Sequence, residues 1–148
     1  LSAYGAAHKN ELCVGIDLIS SRIRDGERKN EKLGNTNVYF IKAQSGEFLE
    51  AMPREVKFGK VFIFFPDPWP KKRHHKNRLI QPEFLDALKD CLANGAKLFF
   101  RTDHSEYFDW AKSVFESHSD WEILEFEEVS QFQRILPNFR TLCAVLKA

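Results

Sequence analysis

Short apolar runs recur along the chain, and stretches with helical spacing fill the gaps between them. Leu12–Leu18 (LCVGIDL), Val38–Ile41, Val61–Phe65 (VFIFF) and Ala96–Arg101 (AKLFFR) are continuously apolar and rich in β-branched or aromatic residues. Strands buried on both faces have this composition. Trp121–Phe126 and Thr141–Leu146 read as a fifth and a sixth strand, with no helix expected between them. Phe84, Leu85, Leu88, Cys91 and Leu92 share one helical face, and Pro82 suits its first turn. Tyr107, Phe108, Ala111, Val114 and Phe115 form a second such face, with capping-box spacing from Asp103 to Glu106. Ile19–Leu33 reads as a helix carrying Gly26 and closed by Gly34, and Gln44–Met52 as a shorter one. Strand and helix in alternation predict an α/β, doubly wound and mostly parallel sheet. The last two strands adjoin in sequence, so they are expected to pair as an antiparallel hairpin at one edge.

Composition narrows this picture a little. The 148 residues are 43% hydrophobic and 29% charged, the composition of a globular domain. No apolar run approaches the roughly 20 residues that span a bilayer. The net charge is only +1, so a nucleic-acid surface would have to come from local clustering. Cys13, Cys91 and Cys143 form no C-x-x-C pattern and read as reduced, buried thiols of a cytoplasmic protein.

Ligands of open α/β sheets bind beyond the carboxyl ends of the strands. Asp17 closes the first strand, Gln44 follows the second and Asp67 the third. A carboxylate there can take both hydroxyls of a ribose, and an amide can pair with an adenine edge. The three suit an adenosine-containing cofactor, although an acid closing a strand serves as a helix cap or solvated turn about as often. No G-x-G and no P-loop occurs, which disfavours a nicotinamide or nucleotide-triphosphate enzyme.

Asp67 has the most defined surroundings. Pro66, Pro68 and Pro70 remove three amide donors and bias Phe65, Asp67 and Trp69 toward extended geometry. The next eight residues, KKRHHKNR, spend five of the chain's 22 Lys and Arg residues and two of its five His residues. A basic run is often only a solvated surface. Beside a presumed active site it points to several phosphates, hence a polynucleotide. His74 and His75 are adjacent and lack an evident third ligand, so no metal is expected.

FPDPWPKKRHHKNRLIQPEFL, Phe65–Leu85, resembles the signature of the bacterial tRNA (guanine-N7-)-methyltransferases, the TrmB family. GID at Gly15–Asp17, TDH at Thr102–His104 and SQFQ at Ser130–Gln133 resemble further elements of that family. The resemblance implies a Rossmann-like class I methyltransferase fold, dependent on S-adenosyl-L-methionine (SAM), in a single domain over 1–148. It implies methyl transfer to N7 of guanine 46 in the tRNA variable loop. By position, Asp17, Gln44 and Asp67 would contact SAM, with Asp67 also the catalytic residue. Lys71, Asp103, Ser130 and Gln133 would contact the substrate, and Arg73, His74, His75, Lys76, Asn77 and Arg78 the RNA. Departures from the family pattern are Gln44 for Asp or Asn, Gln133 for Glu, and Pro70 for His. The family's first strand and its glycine-rich loop would precede Leu1, so a further segment there is expected. Monomer and homodimer stay open.

Guanine N7 is an acceptor with a free lone pair and no proton to lose. The chemistry therefore asks for placement against the methyl carbon more than for a strong base. Asp67 would stabilise the cationic product or hold the guanine's hydrogens. A non-catalytic RNA-binding protein derived from a methyltransferase is the alternative. An amino-methyltransferase fits less well, because its aromatic residue falls one position later than Trp69. The basic run disfavours a small-molecule methyltransferase.

Overall fold

In the computed structural model, residues 1–124 and 139–148 are described. They fall into two compact units, Leu1–Ala51 and Met52–Ala148.

In the first unit a helix, α1 (Ser2–Ala7), leads to β1 (Cys13–Asp17), α2 (Ser20–Leu33), β2 (Val38–Lys42) and α3 (Ser45–Ala51). β1 and β2 pair in parallel from Cys13↔Val38 to Asp17↔Lys42. Gly34 ends α2 in the left-handed conformation, φ 62°, with its amide bonded back to the helix, as the sequence leads one to expect. Gly26, inside α2, has a different reason to be glycine: a Cβ there would lie 2.5 Å from the ring of Phe40. Its bare backbone lets that ring lie against the helix.

The second unit contains β3 (Phe58–Phe64), a 3₁₀ helix (Lys72–Asn77), α4 (Pro82–Lys89), β4 (Leu92–Thr102), α5 (Ser105–Ser117), β5 (Trp121–Leu124) and β6 (Arg140–Leu146). Its sheet has the order β3-β4-β6-β5. β3 and β4 are parallel, whereas β6 runs antiparallel to both β4 and β5. The C-terminal pair is thus the expected antiparallel one, with β5 outermost. Phe126 and the long connection after it lie outside the described residues. The core of this unit is built from Leu98 and Phe100 of β4, Leu142, Cys143 and Ala144 of β6, and the apolar face of α5. All five predicted members of that α5 face are buried.

Several local expectations give way. α4 stops at Lys89, so Cys91 and Leu92 complete no helical face. Leu92 instead opens β4 opposite Phe58, and the register then slips so that Lys60 faces Lys97. Gly95 takes φ 75° within that irregular stretch, a conformation that favours glycine. The α5 cap is His104, not Asp103: the His104 ring nitrogen Nδ1 accepts from the Tyr107 amide at 3.2 Å. Nor are all the strands buried on both faces. Leu12 and Leu18 fall outside β1 and are exposed, and so are Phe62 and Phe64 of β3. β3 is hydrogen-bonded only to β4 among the described residues, and an outer strand buries less.

Candidate functional site

The polar residues singled out from sequence lie where parallel strands end. In the first unit, Asp17 is the last residue of β1 and Gln44 follows β2 by two positions. The Ala43 amide donates to the Asp17 carbonyl, which keeps the two strand ends together. Asp17 Oδ1 accepts from the Ile19 amide at 2.7 Å, holding the turn into α2. Its Oδ2 lies 3.4 Å from Nη1 of an exposed Arg22. Such an ion pair contributes little in water, so that oxygen can exchange it for a ligand's hydroxyls at small cost. Gln44 Oε1 accepts from the Glu47 amide at 3.0 Å, capping α3. That bond sets the direction of an exposed amide whose NH₂ remains a donor. Gln44 therefore caps α3 and Asp17 braces the turn ahead of α2, the structural role open for that acid at the sequence level, and both still present polar atoms outward. Gln44 is thus compatible with the amide role despite differing from the family's Asp or Asn.

In the second unit the loops after β3 and β4 start side by side, because Phe64 is the partner of Arg101. Asp67 is exposed on the first loop and Asp103 on the second. The proline-flanked segment is not the extended rail that its prolines imply. Phe65 has φ 52° and Trp69 φ 44°, both left-handed, a rare state for bulky residues. Tertiary contacts override the local preference. The Phe65 amide continues the ladder by donating to the Arg101 carbonyl at 2.8 Å, and its ring meets Phe139 edge-on. The Trp69 ring stands edge-on to His74 at 5.8 Å and is 37% exposed. Strain of this kind clusters at ligand sites.

The basic run then winds into the 3₁₀ helix. Lys71, Lys72, Arg73, Lys76 and Asn77 are exposed, and His74 and His75 half-buried. Arg78 departs from the expectation of an RNA contact: it is only 2% exposed. Its guanidinium lies over the rings of Tyr107 and Trp110, at 5.1 and 5.3 Å, and Nε donates to the Pro68 carbonyl at 2.8 Å. Burial that needs a cation packed on two rings is invisible in a run of five cations and two imidazoles. The usable signal is the three-residue spacing of Tyr107 and Trp110 on α5, of which the core face takes in Tyr107 alone. His75 packs edge-on against Trp110, with its Nε2 3.3 Å from the Glu106 carboxylate.

The segment after the basic run is fixed from α5. The Ile80 amide donates to the Tyr107 hydroxyl at 3.2 Å, and Trp110 Nε1 donates to the Ile80 carbonyl at 3.0 Å. Ile80 and Tyr107 are both fully buried. Burial pushes the Tyr107 hydroxyl above its ordinary pKa, with the Asp67 charge adding to the rise. On the second loop, the buried Thr102 hydroxyl accepts from the His104 amide and shapes the turn that presents Asp103. Ser130 and Gln133 lie outside the described residues. No group of three or more His, Cys, Asp or Glu side chains suited to a metal occurs among the described residues. No helix among them is long and apolar enough to cross a membrane.

Parallel α/β pairing, polar loops at the strands' carboxyl ends and a last strand inserted antiparallel define a Rossmann-like class I methyltransferase fold. Solved structures share it. NSun6 from Pyrococcus horikoshii with SFG superposes with a TM-score of 0.66 at 16% identity, covering 90% of this chain and 41% of that one. An rRNA methylase from Streptococcus thermophilus gives 0.63 at 12% identity, covering 91% and 73%. The chain belongs to the family described as "Putative methyltransferase", whose sequence model matches residues 1–141. Among curated relatives, the tRNA (guanine-N(7)-)-methyltransferase of Magnetococcus marinus is 35% identical over 126 residues, 80% of this chain and 47% of its own length. That of Alkalilimnicola ehrlichii is 34% identical over 122 residues, 82% and 52%. That of Leptospira interrogans is 42% identical over 86 residues, 58% and 40%. The chain spans about half the length of these relatives, or less.

Proposed function

We propose that this protein is a tRNA (guanine(46)-N7)-methyltransferase, using SAM to methylate a guanine of the tRNA variable loop in the cytoplasm. The observation that carries the reading is the second unit's first loop. There an exposed Asp67 at the carboxyl end of β3 runs through a strained, proline-bracketed turn straight into an exposed basic 3₁₀ helix. A fixed carboxylate beside a phosphate-gripping surface suits a reaction on one base of a polynucleotide. The names of the curated relatives agree with it.

SAM would supply a methyl group on a positively charged sulfur. The donor set of the first unit fits its adenosine. Asp17 Oδ2 is an acceptor for ribose hydroxyls, and the Gln44 amide is a donor for the adenine edge. Guanine N7 has a free lone pair for that methyl carbon, so no residue would have to take a proton, and the positive charge would end on the base. The Asp67 carboxylate stabilises the charge arriving there, which requires fixed direction more than basicity. Lys71 and Asp103 contact the substrate, Ser130 and Gln133 close the guanine side, and Arg73, His74, His75, Lys76 and Asn77 line the RNA backbone.

The test pairs calorimetry with tritium transfer from labelled SAM to unmodified tRNA. The reading expects SAM binding and transfer by the wild-type protein, and loss of transfer with SAM binding largely kept in Asp67→Ala. tRNA binding without SAM binding or transfer would favour the non-catalytic RNA-binding alternative.

A further inference from the structure

Arg78 is the last cation of the basic run, and the fold removes it from solvent. Its side chain is 0% exposed, whereas its neighbours Arg73, Lys76 and Asn77 are exposed. A guanidinium taken out of water has to be held by several partners at once. Besides the two aromatic rings and the Pro68 carbonyl, Nη2 lies 3.3 Å from Glu106 Oε1. Nη1 makes no hydrogen bond among the described residues.

The acceptor of the Nε bond is the residue directly after Asp67. Prolines at 66, 68 and 70 leave this loop few amides with which to hold itself. Phe65 and Trp69, which bracket Asp67, both sit at positive φ, and such backbone persists only where its surroundings over-determine it. Among the described residues, the bond from Arg78 is the polar tie to the carbonyls of 66–70. α5 fixes the other end of that tie through Tyr107 and Trp110. A lysine could carry the charge, but it lacks the planar fork that stacks on rings while donating in its own plane.

We propose that Arg78 is a positioning residue for methyl transfer: through the Pro68 carbonyl it fixes the direction in which Asp67 leaves the end of β3. The inference rests on the function proposed above, in which Asp67 acts on the base. It removes Arg78 from the set of RNA-backbone contacts.

Arg78→Lys and Arg78→Gln are to be compared with the wild-type protein in kcat, KM for tRNA, and the salt dependence of tRNA binding. Nitrogen–proton NMR of the wild-type Arg78 side chain gives a readout independent of activity. The expected result is a kcat lowered roughly ten- to a hundredfold in both variants. KM and the salt slope stay unchanged, circular dichroism is preserved, and the wild-type Nε–H exchanges slowly with solvent. A salt slope reduced by about one unit with kcat retained would make Arg78 a phosphate contact and overturn the proposal. So would an Nε–H that exchanges as fast as a free arginine, which decides the matter even if neither variant folds. A wild-type protein that transfers no methyl group would refute the function proposed above. Failure of the tether is told apart from that outcome by the Nε–H resonance alone.

Discussion

Tyr107→Phe keeps the ring and removes one oxygen. The ring is fully buried, packs edge-on against Phe100 at 5.2 Å and supports the Arg78 guanidinium. A phenylalanine can keep these contacts, so no cavity of consequence opens. What changes is the Ile80 amide, which donates to the hydroxyl and belongs to a residue with no exposure of its own. A buried N–H left without a partner costs about 1–3 kcal/mol. For a chain of this size each kcal/mol lowers Tm by roughly 2–4 °C. The variant is therefore expected to melt about 2–12 °C lower, with an unchanged urea m-value, because the same surface is exposed on unfolding. The pH dependence gives an independent check. Burial raises the Tyr107 pKa above 10 in the folded state. A raised folded pKa gives stability that is fully present below the unfolded pKa and lost as pH rises through the folded one. Wild-type stability should thus fall above about pH 10 more steeply than that of Tyr107→Phe. Urea titrations followed by circular dichroism at neutral pH and at about pH 10.5 measure both effects. Equal midpoints for the two proteins at neutral pH would refute the claim that this hydroxyl satisfies Ile80.

Two further outcomes follow from the same geometry. Replacing the exposed Arg73 and Lys76 with alanine should weaken tRNA binding and flatten its salt dependence by about one unit of slope per lost phosphate contact, leaving SAM binding as it was; an unchanged slope in a filter-binding titration returns the 3₁₀ helix to ordinary solvated surface. Gly26→Ala would drive a methyl group to within 2.5 Å of the Phe40 ring, and overpacking of that kind costs about 1–3 kcal/mol despite alanine's better helix propensity; a thermal melt showing stabilisation would contradict the contact.

The strands and the amphipathic α5 were legible because burial writes a period into the sequence. Tyr107, Phe108, Ala111, Val114 and Phe115 repeat at helical spacing and all five are buried. The loops were legible in chemistry but not in shape. The prolines marked the segment around Asp67 as special, yet their local preference for extended neighbours lost to the ladder bond of Phe65 and to the contacts of Trp69. Charge was legible as a total and not residue by residue. Five Lys and Arg residues in a row of eight say nothing about which one turns inward, and that depended on two rings some thirty positions away. Helix ends were the other weak point. α4 could have continued through Cys91 by periodicity, but Leu92 reaches a buried place opposite Phe58 only if the helix has already stopped.

The account turns on Asp67 acting beside a guanine held by the basic helix. Unmodified tRNA transcripts are to be incubated with labelled SAM and either the wild-type protein or Asp67→Ala, then digested to nucleosides and analysed by mass spectrometry. The account predicts N7-methylguanosine from the wild-type reaction, lost when the variable-loop guanine is replaced by adenine, and none from the variant. Label at another base or ring position, or undiminished N7-methylguanosine from Asp67→Ala, would contradict it.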